Sequence, residues 1–158
     1  MRPVADTTGR VTACQACGRK NRVSAVGEGR PRCGNCGAEL PWIADAGDQD
    51  FAEIAEQAEP IVLVDLWATW CGPCRKVSPA LEEVARQMAG QIKLVKVDID
   101  AAPRLAQRFE VQAVPTLLLL DRGEVIGRQA GAAPAAALRQ WVEGTIASRP
   151  GAGATPQG

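Results

Sequence analysis

Residues 61–74, Ile-Val-Leu-Val-Asp-Leu-Trp-Ala-Thr-Trp-Cys-Gly-Pro-Cys, decide the fold. The first half, Ile61 to Trp67, is an apolar run broken only by Asp65, the pattern of a strand buried on both faces. A Cys-x-x-Cys pair follows, and then Val77, Leu81, Val84, Ala85 and Met88 fall on one face of a long helix. Ile92 to Asp98 alternates as a second strand. Strand, helix, strand predicts a parallel βαβ unit with a right-handed crossover.

The flanking segments extend the same pattern. Phe51, Ile54, Ala55 and Ala58 recur at helical spacing, and Pro103 to Phe109 predicts a short helix. Thr116 to Leu120 and Glu124 to Gln129 read as a hairpin around Asp121-Arg122-Gly123, which makes the sheet mixed. Leu138, Trp141, Val142 and Ile146 mark a closing helix. Pro79, inside the long helix, predicts a kink.

A chain of 158 residues holds one ordinary domain and a small module, not two full domains. Basic and acidic side chains balance at 18 each, so no electrostatic footprint for nucleic acid is expected. Met1 to Val11 lacks the apolar stretch of a signal peptide, and no run approaches the ~20 apolar residues of a membrane helix. The expected compartment is a reducing cytoplasm, where structural disulfides are rare.

Six cysteines and no histidine are present, and the cysteines form three Cys-x-x-Cys pairs. This spacing points to redox chemistry or metal binding. Cys71 and Cys74 lie at the start of the long helix, where unpaired N–H groups and the helix dipole favour an anion. A thiolate there has a lowered pKa and attacks well at neutral pH. Pro73 is tolerated in a first helical turn. One turn brings both sulfurs to the same side. Cys71 is expected to be the exposed thiolate that attacks a substrate disulfide, and the less exposed Cys74 to resolve the mixed disulfide.

Cys14-Gln-Ala-Cys17 and Cys33-Gly-Asn-Cys36 match the Cys-x2-Cys, x15–20, Cys-x2-Cys pattern of a zinc site. Gly18 and Gly37 permit the tight turns that aim backbone N–H groups at the sulfurs. Four thiolates close a tetrahedral shell, so the expected ion is one structural zinc. The segment has few large apolar residues and needs such a staple. A disulfide-bonded segment is the alternative. Its arginines, with Lys20, make the module basic, which is a solvated face or a weak pointer to nucleic acid.

Residues 61–74 resemble the thioredoxin signature, and the likeness extends through residues 96–100 (Lys-Val-Asp-Ile-Asp), Val114-Pro115-Thr116, Gly123 and Gly131. The zinc ribbon ahead of such a domain is similar to the subfamily known as thioredoxin 2. The resemblance implies an α/β thioredoxin fold, a central mixed sheet flanked by helices, with an N-terminal zinc ribbon. It implies a protein-disulfide reductase in redox homeostasis, electron transport and the oxidative stress response. Asp65 matches a buried acid near the second cysteine, and desolvation there suits it to take the Cys74 proton. Lys96 matches a lysine near that acid. Pro115 matches a cis-proline facing the cysteines. Trp70, Gly72, Pro73, Val114, Pro115 and Gly131 would dock an extended substrate, with Trp67 packing beneath. The implied partners are disulfide-containing proteins and an NADPH-dependent thioredoxin reductase. Without a long apolar run no membrane partner is expected, and the oligomeric state is open, with a monomer as the default.

The expected divisions are residues 1–38 as the zinc ribbon with about the first ten residues flexible, 39–148 as the thioredoxin domain, and 149–158 as a disordered tail. A rival expectation is a binding or redox-sensing module on a thioredoxin scaffold, its thiolates ejecting zinc on oxidation or the module covering part of the catalytic surface.

Overall fold

The computed structural model describes residues 10–27 and 29–149. The sheet that organises it is built on β4 (Ile61–Trp67), which is buried along nearly its whole length. Its neighbours are β5 (Ile92–Asp98), parallel to it, and β6 (Thr116–Asp121), antiparallel. Further out lie β3 (Trp42–Asp45), parallel to β5, and β7 (Glu124–Ala130), antiparallel to β6, giving the order β3-β5-β4-β6-β7. The apolar run therefore occupies the centre of a mixed sheet, where both faces are covered.

Alternation along the strands divides the core in two. Val62, Val64 and Leu66 pack with Phe51, Ile54, Leu105 and Phe109 on one face. Leu63, Ile92, Leu94, Leu117 and Leu119 pack with α1 (Gly72–Gln87) and α3 (Ala135–Ser148) on the other. The five apolar positions predicted for the long helix are all buried. α1 runs on through Pro79 as one helix. A short π-helical segment, Ala52–Glu56, stands where the Phe51 spacing predicts a helix, and α2 is Pro103–Arg108. β3 is not apparent in the sequence, because four residues are too few for a period to show.

The N-terminal module is a two-stranded sheet, β1 (Arg10–Ala13) against β2 (Lys20–Val23), followed by a second cysteine turn. Arg10, assigned to the loose end from sequence, opens β1 and pairs with Asp45 at 3.3 Å. At the other terminus Arg149 pairs with Asp121 at 3.2 Å. The expected flexible start before it and the tail from 150 to 158 lie outside the described residues.

The module docks at the end of the sheet where β4 and β5 begin. Gln15 donates to the carbonyl of Arg86 in the last turn of α1 (3.2 Å), and Arg30 faces Glu59 just before β4 (3.9 Å). Cys71 and Cys74 sit at the opposite end of α1, a helix of 16 residues, or about 24 Å of rise. Among the described residues the module therefore stands at the far end of α1 from the cysteine pair and does not cover it.

Lys93 joins the two parts. Its ammonium is 1% exposed, donates to the carbonyls of Ala25 in the module and Ile54 in the π-helical segment (2.6 Å each), and lies 4.0 Å over the Trp42 ring. Burial pushes its pKa down to about 7. Between pH 7 and the ordinary lysine value the unfolded chain then binds the proton more tightly than the folded one, so stability rises with pH. Denaturant unfolding between pH 7 and 10 should show this rise in the wild type and a flatter profile in Lys93→Met; identical slopes would remove the assignment.

Candidate functional site

Cys71 is the N-cap of α1. Its backbone is extended (φ −94°, ψ 112°), and its sulfur accepts the N–H of Cys74 at 3.1 Å. A serine or aspartate at an N-cap makes the same bond through oxygen. Gly72 and Pro73 fill the first two helical positions. Pro73 has no N–H to leave unpaired, and Cys74 presents its own N–H to the sulfur one turn back. Cys71 and Cys74 are joined as a disulfide, with Cα atoms 5.3 Å apart.

The expected difference in exposure between them is absent in this oxidised form. Both are 3% exposed. Cys71 and Cys74 lie together in a cluster with Ala68, Trp67, Ile99 and Val114. What distinguishes the two is position: Cys71 lies outside the first helical turn and Cys74 within it.

The residues expected to dock substrate form a rim around this cluster. Trp70 is 66% exposed, and its indole N–H donates to Asp100 at 2.9 Å. Asp100 was not singled out from sequence as an anchor for Trp70, because a turn aspartate carries no spacing signal. Gly72 and Pro73 are exposed on the helix tip. Val114 touches the cysteine cluster, the Val114–Pro115 bond is cis, and the Pro115 carbonyl accepts the N–H of Gly131 at 2.9 Å. Gly131 has φ +94°, a conformation that favours glycine.

Asp65 lies on the α1 face of β4 and is fully buried. Neither carboxylate oxygen has a hydrogen-bond partner. It lines a cleft of about 350 Å³ together with Cys74, Trp67, Arg75, Ser78 and Lys96. Burial raises its pKa to about 6; Lys96 pulls it down and Glu82 pushes it up. A group raised in the folded state binds its proton there more tightly than in the unfolded chain, so its cost to stability appears as pH rises from about 4 to 6. At neutral pH that cost is about 3 kcal/mol. Asp65→Ala should therefore raise stability at pH 7 by an amount of that order and by little at pH 4, as read from denaturant midpoints; an equal effect at both pH values would contradict the assignment.

The four remaining cysteines form one cluster. Their sulfurs lie within 4.8 Å of one another, with Cys14–Cys36 and Cys17–Cys33 each at 3.6 Å, and none is in a disulfide. The two turns repeat one design: Cys14 accepts from Gly18 and donates to Arg19, and Cys33 accepts from Gly37 and donates to Ala38, all at 2.8 or 2.9 Å. Gly18 and Gly37 have φ near +80°. The N–H groups of Ala16 and Asn35 reach the sulfurs of Cys14 and Cys33 at 3.4 and 3.3 Å. The Asn35 and Asn21 amides reach those of Cys17 and Cys33, each at 3.5 Å. The thiols of the cluster do not shift alike: backbone N–H groups of Cys36 and Asn35 hold Cys33 down to about 6, whereas the neighbouring Cys14 sulfur and burial push Cys36 up to about 11. The cluster is close enough to hold one metal ion. No helix among the described residues is long and apolar enough to cross a membrane.

A family model described as Thioredoxin matches residues 42–144. Thioredoxin C-3 of Corynebacterium nephridii is 34% identical over 147 residues, covering 89% of this chain and 99% of that protein. A match of that length takes in Cys33 and Cys36. Thioredoxin of Bacillus subtilis is 43% identical over 100 residues, covering 63% of this chain and 94% of its own. The bifunctional thioredoxin reductase/thioredoxin of Mycobacterium leprae is 44% identical over 88 residues, 56% of this chain and 19% of that protein.

Proposed function

The chain belongs to the thioredoxin family and is a thiol-disulfide oxidoreductase, and from that premise we propose that it is a cytoplasmic protein-disulfide reductase of the zinc-ribbon, thioredoxin 2 type. The observation that carries the reductase reading is the sulfur of Cys71 at the helix N-cap, bonded to Cys74 one turn on.

In the reduced protein the Cys71 thiolate attacks one sulfur of a substrate disulfide. An S–S bond forms between Cys71 and substrate, and the other substrate sulfur leaves as a thiolate. Asp65, sharing the cleft with Cys74, takes the Cys74 proton. The Cys74 thiolate attacks Cys71 and expels the second substrate thiolate. Two electrons have passed to the substrate, and the Cys71–Cys74 disulfide remains. Trp70, Gly72, Pro73, Val114, Pro115 and Gly131 receive the substrate, whose extended backbone pairs beside Val114. A dithiol separated by Gly-Pro, in a chain without histidine, favours the reducing direction. An NADPH-dependent thioredoxin reductase restores the dithiol; a relative that carries both names in one chain supports that pairing.

On this reading Cys14, Cys17, Cys33 and Cys36 would hold one structural zinc. Sulfurs about 2.3 Å from a tetrahedral zinc stand about 3.8 Å apart, which the two 3.6 Å pairs approach. Val23 is the one large aliphatic side chain that the module buries among the described residues. It packs with Leu40 and Trp42 in a small cluster, and an ion held by the four thiolates would add folding free energy to it. The proposed boundaries are residues 1–38 for the ribbon and 39–148 for the catalytic domain.

Insulin reduction with dithiothreitol checks the chemistry. Cys71→Ser should lower the rate at least 100-fold, and Cys74→Ser should trap a mixed disulfide visible by non-reducing electrophoresis; wild-type activity in Cys71→Ser would refute the mechanism. Metal analysis checks the ribbon. One zinc per chain is expected, lost in Cys33→Ser, with a lower melting temperature and retained insulin reduction; a metal-free wild type of unchanged stability would refute it.

A further inference from the structure

Asp65 has a cation beside it that does not pair with it. Lys96 is its register partner across the parallel β4–β5 ladder, and both line the same cleft. Adjacent residues of a ladder present their side chains to the same face. Lys96 is only 12% exposed, and an ammonium so enclosed is drawn strongly to a buried carboxylate. Both oxygens of Asp65 are nevertheless unpartnered.

The ammonium is held elsewhere. It donates to the Glu82 carboxylate at 3.1 Å and to the Ser78 hydroxyl. Cys74, Ser78 and Glu82 are spaced by four along α1, so they form one stripe on the face turned to the cleft. The charged or titratable groups around Asp65 are few. β5 presents Lys96. α1 presents Cys74, Arg75 and Glu82, with the Arg75 guanidinium committed to the carbonyl of Thr69 at 3.1 Å. Across β6 the register partner is the apolar Leu117.

We propose that Glu82 and Ser78 are positioning residues that hold Lys96 off Asp65 and so leave Asp65 free to take and return the Cys74 proton. The inference rests on the reading of Asp65 as that proton acceptor. With Lys96 released, ammonium and carboxylate would close into a direct pair, and Asp65 would become a weaker base.

The test is the titration of the Asp65 side-chain carboxyl, followed by 13C NMR in the full-length oxidised protein. Wild type, Glu82→Gln, Lys96→Met and the double variant form a cycle. Glu82→Gln should lower the midpoint by about one unit, a tenfold loss of proton affinity. Lys96→Met should raise it, and in the Lys96→Met background Glu82→Gln should have less than a third of its former effect. Ser78→Ala should move the midpoint in the same direction as Glu82→Gln, and Glu82→Asp should restore it in part.

A Glu82→Gln shift that persists in full without Lys96 would mean that Glu82 acts by its own field, and would overturn the proposal. So would a midpoint unmoved by both Glu82→Gln and Ser78→Ala. Insulin reduction by the wild type separates the two levels. If it is absent, the reductase reading fails. If it is present and the titration does not move, only the positioning role fails.

Discussion

One sulfur closes the open end of α1, and the reactive part of the molecule is arranged around that contact. The first N–H groups of a helix have no partner within it. Here an N–H of the first turn is given to Cys71, whose sulfur gains most from the bond when it is negatively charged. The same contact fixes Cys74 one turn away. The sheet supplies the rigidity: β4 is buried on both faces, and its last residues deliver the chain to the helix start in one direction only. The redox pair thus stands at the start of α1, a short connection beyond the end of the buried strand β4.

Enclosure also explains the acid. β4 is apolar because it lies at the centre of a mixed sheet, and Asp65 interrupts it on the α1 side. A carboxylate there costs stability whenever it is charged. The acid lies in a cleft shared with Cys74 and Lys96. The cysteine module lies at the far end of the same helix, and Lys93 ties it down through a carbonyl from each part. Stability and reactivity are in this way separated along one helix, with the four-cysteine cluster near its end and the redox pair at its beginning.

Much of this was legible from residues alone. β4, α1 and β5 announce themselves by a continuous apolar run, a helical stripe and an alternating strand, and their spans match within a residue or two. The three Cys-x-x-Cys pairs divide by context into one at a strand–helix junction and two in a coreless segment, and the coordinates bring them together in those groups. What was not legible depended on tertiary contact. Lys93 carries no local signal of burial, because Ala25, Ile54 and Trp42, which enclose it, come from three separate segments. β3 is too short for its period to count and exists because β5 offers an edge. The capture of Lys96 by Ser78 and Glu82 joins residues from two elements and leaves no local trace. The equal burial of Cys71 and Cys74 depends on the residues packed around them, which spacing does not describe.

The central claim is that Cys71 is ionised by its place at the helix start, and its alkylation rate as a function of pH tests that most directly. In the fully reduced protein, iodoacetamide modification located to Cys71 by peptide mass mapping should rise with a midpoint well below the value near 8.5 of an ordinary thiol. A midpoint at or above that value would show that the helix terminus does not activate the sulfur, and the mechanism built on it would be wrong.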